Sequence, residues 1–246
     1  MINQIKGKKV IFFDVGYTLD RPASGNWMFT EKFLELAGGK LKQHSAAEIN
    51  AARDAGLCYL EENHLVTSVG DECKQFYRYY SIISEQLGLG LTTDELDQAA
   101  RDRTYNMKNY IPYPGIQEVL ATLSRTHKLG IISDTWPSIE QQLEYIGVAQ
   151  YFSFRTYSCF VGVFKPDRRM FLDALGKCGA APEDTVFIDD SVRNLEGAAA
   201  LGITPILIEA NPAAVVETSY LKIKDLRELI RSDENEADAV CLDKEL

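Results

Sequence analysis

Carboxylate, hydroxyl and amino side chains follow short apolar runs of the sequence. Asp14 follows VIFF, Ser133 ends LGIIS, and Asp189 and Asp190 end TVFIDD, while Lys165 lies between the second and third of these places. If the runs are parallel strands of one sheet, their carboxyl ends meet at one edge, where such sheets bind ligands. The sequence therefore predicts a cluster of three carboxylates, one hydroxyl and one amine.

Three carboxylates at one edge of a sheet repel one another. This repulsion raises their pKa values unless a cation lies between them. Mg²⁺ prefers oxygen ligands of this kind and retains several of its waters. Each residue alone has a structural explanation, because acids and serines at strand ends often cap the next helix. The combination instead predicts a Mg²⁺ site.

The elements that carry these residues alternate between apolar runs and segments of helical periodicity. This alternation predicts parallel βαβ units with right-handed crossovers, and hence an α/β fold with a doubly wound parallel sheet. We assign this core to residues 1–20 and 110–231. Residues 21–109 show helical segments and no convincing strand, which predicts an inserted all-α cap domain. Residues 232–246 hold six acidic residues and one basic residue and are expected to form a disordered tail.

Composition excludes several classes of protein. The net charge of −10 argues against a nucleic-acid binder. The amino-terminal MINQIKGKK lacks the apolar run of a signal peptide, and no segment approaches the roughly 18 apolar residues of a membrane span. The five cysteines form no CxxC pair, so we expect reduced thiols in a cytoplasmic protein. We expect this protein to be a monomer or a homodimer. We expect His64 to be solvated and His127 to be structural.

Four segments of this chain resemble, in order and spacing, the four motifs of the haloacid dehalogenase superfamily of hydrolases. They are DVGYT at 14–18, Ser133, Lys165 and DDSVRN at 189–194. The resemblance covers residues 9–20 and about 110–210. On these motifs the chain is similar to members of subfamily I, and the helical segment after the first motif resembles the helical cap of those enzymes.

The resemblance implies a phosphatase that acts on a small phosphorylated metabolite. Asp14 would attack phosphorus and form an aspartyl-phosphate, which water then hydrolyses. Ser133 would hydrogen-bond a phosphoryl oxygen, Lys165 would neutralise charge, and Asp189 would orient the metal shell. Mg²⁺ would bind Asp14, the backbone carbonyl of Gly16 and Asp190.

Five further residues are candidates for contact with the substrate. They are Tyr17, Thr18, Asp134, Trp27 and Asn194. Backbone N–H groups near Val15–Gly16 and near Asp134 are expected to hold phosphoryl oxygens. For Trp27, lining of the pocket competes with a second interpretation, in which the indole anchors the first helix of the cap.

Gly16 departs from the family pattern. Phosphatases that the chain resembles carry a second aspartate at this position, which protonates the leaving group and contributes roughly 10²–10⁴ to the rate. Three hypotheses stay open: a phosphatase that takes its proton from elsewhere, a 2-haloacid dehalogenase, and a non-catalytic binding protein. The acidic pair Asp189 and Asp190 favours the first, because dehalogenases of the family need no Mg²⁺ and are less acidic there.

Overall fold

The core of the molecule is a six-stranded sheet in which every pairing is parallel. The computed structural model of the chain describes residues 1–210 and 217–230. Its strands are β1 (Val10–Phe13), β2 (Asp20–Pro22), β3 (Tyr110–Pro112), β4 (Lys128–Ser133), β5 (Phe152–Tyr157), β6 (Thr185–Asp189), β7 (Thr204–Ile208) and β8 (Leu221–Ile223). The order in the sheet is β5-β4-β1-β6-β7-β8, so the fold is the doubly wound α/β type that the sequence predicts.

The strand order changes direction at β1. The chain passes from β1 to β4 and β5 on one side, and then crosses back to β6, β7 and β8 on the other. In sheets of this kind the crevice beyond the carboxyl ends at the switch point binds ligands. Residue 14 follows β1 directly and therefore lies at this point.

Both faces of the sheet are covered by helices. Ile11 and Phe13 of β1 belong to a buried cluster with the apolar faces of α5 and α6, whereas Val10 and Phe12 belong to a second cluster with α8 and α9. This division follows from the two-residue period of a strand. The helices of the core are α5 (Ile116–Leu123), α6 (Ile139–Tyr145), α7 (Ser158–Val161), α8 (Arg168–Cys178) and α9 (Val192–Ala199).

The segment between β2 and β3 folds into four helices around an aromatic cluster. The helices are α1 (Glu31–Leu41), α2 (Ala46–Glu62), α3 (Val69–Gln86) and α4 (Thr93–Tyr105). Ser45 and Thr92 form capping boxes that begin α2 and α4, which satisfies backbone N–H groups that a helix end leaves open. Phe33, Phe76 and Tyr80 are fully buried in this second core.

One strand and one histidine differ from the expectations. The prediction of no strand in 21–109 misses β2. This strand pairs with β3 as a short antiparallel ribbon, β2 coming before helix α1 and β3 after helix α4. The prediction that His64 is solvated is wrong: its ring is 3% exposed, stacks on Phe164 and has Nε2 2.7 Å from Ser158 Oγ. His127 is structural as expected, with Nε2 3.0 Å from the carbonyl of Ile5.

The predicted acidic tail at 232–246 lies outside the described residues, and the division into core, cap and tail stays a prediction. Four of the five cysteines fall within the described part and are free thiols. In that part of the chain, none of the helices has both the length and the apolar character that crossing a bilayer requires.

Candidate active site

The ends of β1, β4 and β6 bring the predicted residues together. The backbone N–H of Asp14 donates to the carbonyl of Ile188, which ties the end of β1 to β6 (2.9 Å). Ser133 is the last residue of β4 and Asp189 the last of β6. Asp14, Ser133 and Asp189 are all at least 93% buried, so their side chains meet in a site shielded from bulk solvent.

Lys165 joins two of the carboxylates. Its Nζ atom donates to Asp14 Oδ1 and to Asp189 Oδ2, both at 2.7 Å, and to the carbonyl of Ile132 at 3.2 Å. The lysine side chain is only 2% exposed. Its three N–H groups are thereby all used, so the ammonium is fixed in position between the nucleophile candidate and its neighbour.

Asp189 is held by the turn that follows it. Its Oδ1 accepts from the backbone N–H of Ser191 at 2.7 Å, and Asn194 Nδ2 lies 3.2 Å from both carboxylate oxygens. Because Lys165 occupies Oδ2 as well, both oxygens of Asp189 already accept hydrogen bonds. This arrangement suits a residue that positions the lysine and the turn.

Burial and charge shift the acidity of the buried pair. Burial raises the pKa of Asp14, Lys165 opposes this shift, and the charges of Asp189 and Asp190 add to it. For Lys165, burial lowers the pKa, but the carboxylates of Asp14 and Asp189 raise it by more, so the amine stays protonated. An ammonium ion held this way supplies a fixed positive charge beside Asp14.

Asp14, Asp189 and Asp190 form a group that fits a hard cation. Each offers one carboxylate oxygen, and these three atoms lie within 4.8 Å of one another. Since both oxygens of Asp189 already accept hydrogen bonds, Asp14 and Asp190 are the better ligands. Gly16, whose carbonyl is the third predicted ligand, lines the same cavity. Such an oxygen-only set is the kind that Mg²⁺ prefers.

The loop after Asp14 is tightly folded. Tyr17 has φ of 54°, in the left-handed region that non-glycine residues seldom adopt. Its N–H donates to the carbonyl of Asp20 at 2.7 Å, and the N–H of Leu19 donates to the carbonyl of Val15 at 2.7 Å. Thr18 is fully buried under this loop, and its hydroxyl has no partner among the described residues.

Trp27 explains why position 16 is a glycine. A Cβ atom at Gly16 would lie 3.1 Å from Cζ2 of Trp27, closer than such contacts normally are. The indole packs edge-on against Tyr17, with ring centroids 5.2 Å apart, and is tilted against Tyr110 at 6.3 Å. An aromatic ring thus covers the place where a second aspartate would begin.

A cavity of about 300 Å³ opens over the strand ends. Nine of the predicted site residues line it: Asp14, Gly16, Tyr17, Trp27, Ser133, Asp134, Lys165, Asp190 and Asn194. Asp189 lies behind Lys165, outside the lining. Thr18 is also outside it, because the turn of the loop directs it into the core, and we do not retain it as a substrate contact.

Several lining residues are not among the side chains predicted to act in catalysis, metal binding or substrate contact. They are Met28, Arg103, Tyr110, Thr135, Trp136, Ser138, Ile139 and Gln142, together with Val15. Arg103 did leave a signal in the sequence. It follows Leu96, Ala99 and Ala100 at the spacing of one helix face, so a charged residue occupies a core position of α4.

Comparison with known proteins agrees with this geometry. Residues 8–202 match the family model described as haloacid dehalogenase-like hydrolase. A glyceraldehyde 3-phosphate phosphatase of Methanothermobacter thermautotrophicus is 26% identical over 211 residues, which span 82% of this chain and 86% of that protein. A phosphoserine phosphatase of Thermus thermophilus is 28% identical over 131 residues, which span 51% of this chain and 53% of that protein.

Solved structures show the same fold at low sequence identity. The HAD-hydrolase YfnB of Bacillus subtilis, bound to magnesium, has a TM-score of 0.65 and 17% identity, with 91% of this chain and 97% of that chain covered. A 2-haloacid dehalogenase of Pseudomonas syringae has a TM-score of 0.61 and 20% identity, with 94% and 99% covered. The match over residues 8–202 and the grouping of Asp14, Ser133, Lys165 and Asp189 show that this chain belongs to the haloacid dehalogenase-like hydrolases.

Proposed function

We propose that the chain is a Mg²⁺-dependent phosphatase that hydrolyses a small phosphorylated metabolite through an aspartyl-phosphate on Asp14. The observation that carries the proposal is the contact of Lys165 with both Asp14 and Asp189, beside the carboxylate of Asp190 and in the cavity over the strand ends. We further propose that helices α1–α4 act as a cap over this cavity, and that the protein works in the cytoplasm as a monomer or homodimer.

Each residue then has a defined task. The Asp14 carboxylate attacks phosphorus in line, the bond from phosphorus to the leaving oxygen breaks, and that oxygen takes a proton from water. A second water then hydrolyses the aspartyl-phosphate and releases phosphate. Lys165 balances the negative charge between Asp14 and the phosphoryl oxygens, and Ser133 donates a hydrogen bond to one of them. Asp14, the Gly16 carbonyl and Asp190 would hold Mg²⁺, which supplies positive charge at the phosphoryl group when bound.

The relatives support phosphate esters as substrates. Two that align with this chain are named as phosphatases, one for phosphoserine and one for glyceraldehyde 3-phosphate. The cavity volume of about 300 Å³ lies at the lower end of the range for small-molecule sites. A small phosphate monoester is therefore the substrate class that we propose.

A haloacid dehalogenase is the second candidate. Gly16 favours it, because halide leaves carbon without needing a proton, and a dehalogenase is among the structural neighbours. The three carboxylates within 4.8 Å of one another favour the phosphatase, since a carbon centre that loses halide gains nothing from a divalent cation.

Hydrolysis of p-nitrophenyl phosphate, with and without Mg²⁺, tests the proposal. This ester has a leaving group that needs little protonation, so Gly16 does not hide the activity. We expect Mg²⁺-dependent release of p-nitrophenol that is lost in Asp14→Asn and kept in Asp184→Asn, a change in a surface ion pair with Lys9. No release by folded protein with Mg²⁺ would refute the phosphatase, and chloride release from 2-chloropropionate would then identify a dehalogenase.

A further inference from the structure

A buried arginine of the cap points to a second charged group on the substrate. Arg103, in the last turn of α4, is 7% exposed and lines the same cavity as Asp14 and Lys165. These two cations, Arg103 and Lys165, are the only positively charged side chains among the described residues that form the lining. Lys165 contacts two carboxylates, whereas Arg103 forms no ion pair with any described residue.

The hydrogen bonds of Arg103 are incomplete. A guanidinium has five N–H groups. Only Nη1 donates to an acceptor in the described part of the chain, the hydroxyl of Tyr110 at 2.6 Å. Nε is buried without a partner. Burying such donors unsatisfied is costly, so the site suits an acceptor that the described residues do not supply.

Aromatic rings hold the guanidinium in a fixed plane. Its central carbon lies 4.5 Å from the centre of the Phe76 ring and 5.9 Å from that of Tyr110. Rings stacked on a guanidinium contact its face, whereas its N–H edge has the geometry to pair with two oxygens of a carboxylate or phosphate. A residue that only filled the core would not need a charge.

The carboxylate of Glu72 is already hydrogen-bonded to another residue. Burial lowers the pKa of Arg103, whereas Tyr110 and the charge of Glu72 in α3 raise it. Glu72 therefore lies close enough to act on Arg103 through its charge. Its two oxygens accept from the backbone N–H of Ser138 at 2.7 Å and from the Ser138 hydroxyl at 2.6 Å. Glu72 therefore fastens the cap to the start of α6, and Arg103 remains to bind a ligand.

We infer that Arg103 binds a second anionic group of the substrate, separate from the phosphoryl group at Asp14. The inference rests on the proposed phosphatase activity and narrows its substrate to small phosphate esters that also carry a carboxylate. A carboxylate fits better than a second phosphate because the cavity holds only about 300 Å³. Arg103 is in this view a specificity residue, while the chemistry stays with Asp14 and Lys165.

A matched pair of esters tests the inference. 3-Phosphoglycerate and glycerol 3-phosphate differ chiefly in whether a carboxylate or a hydroxymethyl group stands at the far end. We expect the wild-type protein to favour 3-phosphoglycerate in kcat/KM by about 10- to 100-fold, the worth of a charge-assisted hydrogen bond. Arg103→Met should abolish this preference, and Arg103→Lys should restore part of it.

Arg101→Met is the control, because Arg101 lies on the same helix, is exposed and forms a surface ion pair with Asp97. It should keep both the activity and the preference. If Arg103 were merely structural, Arg103→Met would lower kcat/KM for both esters by the same factor, and the inference would be overturned. A wild-type protein without preference would overturn it equally.

Binding separates this inference from the proposed activity. The two tryptophans of the chain, Trp27 and Trp136, both line the cavity, so their fluorescence reports on its occupation. In an Asp14→Asn background that prevents turnover, Arg103→Met should weaken the Kd of 3-phosphoglycerate by about 10- to 100-fold and leave that of glycerol 3-phosphate unchanged. This result would support the role of Arg103 even if the wild-type protein hydrolysed neither ester, whereas equal affinities would refute it.

Discussion

The indole of Trp27 occupies the space in front of Gly16, with Cζ2 3.1 Å from the place of a Cβ atom. Glycine at this position is therefore matched to a residue eleven positions later, and the missing carboxylate is part of the packing of the cavity. The backbone of Gly16 has no positive φ, so steric contact alone disfavours a side chain there.

Introducing the missing carboxylate should require a smaller residue at position 27. Gly16→Asp alone should lower the free energy of unfolding by about 1–3 kcal/mol through overpacking, with no gain in rate. Gly16→Asp combined with Trp27→Leu should hydrolyse an alkyl phosphate up to about 100-fold faster than Trp27→Leu alone, because the new acid protonates the leaving group. Steady-state kinetics and thermal melts of the three variants measure the hydrolysis rates and the stabilities. The prediction would be contradicted if Gly16→Asp alone hydrolysed the alkyl phosphate faster than the wild type.

Removing the amine of Lys165 should destabilise the fold as well as the site. Lys165→Met leaves Asp14 and Asp189 buried without their shared cation, which should cost about 3–5 kcal/mol of unfolding free energy. Lys177→Met removes an exposed partner of Asp173 and should cost at most about 1 kcal/mol. Urea unfolding of both variants measures the loss of unfolding free energy. Equal losses would show that the buried contacts of Lys165 stabilise the fold no more than a surface ion pair does.

Asp20 should make stability fall as pH rises. Its side chain is fully buried, Oδ2 accepts from Gln142 at 2.6 Å, Oδ1 has no partner among the described residues, and burial raises the pKa to about 7. The folded state therefore holds a proton that the unfolded chain releases above pH 4, so stability is lost between about pH 4 and pH 7.

Asp20→Asn should remove this pH dependence. At pH 8 the variant should be more stable than the wild type by about 4 kcal/mol, whereas at pH 4 the two should be similar. Chemical unfolding at both pH values measures the difference, with Asp94→Asn, on the exposed surface of α4, as control. A stabilisation that is the same at pH 4 and pH 8 would show that Asp20 is not protonated in the fold.

Mg²⁺ should stabilise the protein through Asp190. At a concentration 100 times its Kd, an ion that binds only the folded state adds about 2.7 kcal/mol, and a chelator should reverse the effect. Asp190→Asn should lose this stabilisation, while Asp184→Asn, which alters only the surface pair with Lys9, should keep it. Thermal melts with Mg²⁺ and with EDTA decide, and an unchanged response of Asp190→Asn would exclude Asp190 as a ligand.

The sequence by itself determined the chemical centre and the sheet that carries it. Asp14, Ser133 and Asp189 each stand at the end of an apolar run. Parallel strands bring such ends to one edge of the sheet, independently of the conformation of the connecting loops. The helical segment between residues 21 and 109 was equally readable, because its apolar residues recur at the period of a helix. Local periodicity and strand ends are properties of the chain, so no distant contact was needed to find them.

Only the tertiary structure decided what surrounds that centre. His64 is buried because it meets Ser158, 94 residues later, and Arg103 faces the cavity because α4 packs across Phe76 and Tyr110. Gly16 is explained by Trp27, which leaves no periodic signature in the sequence. These contacts depend on how the helices between β2 and β3 pack over the sheet, and side-chain packing between distant segments is set by three-dimensional shape, which no local pattern of residue types encodes.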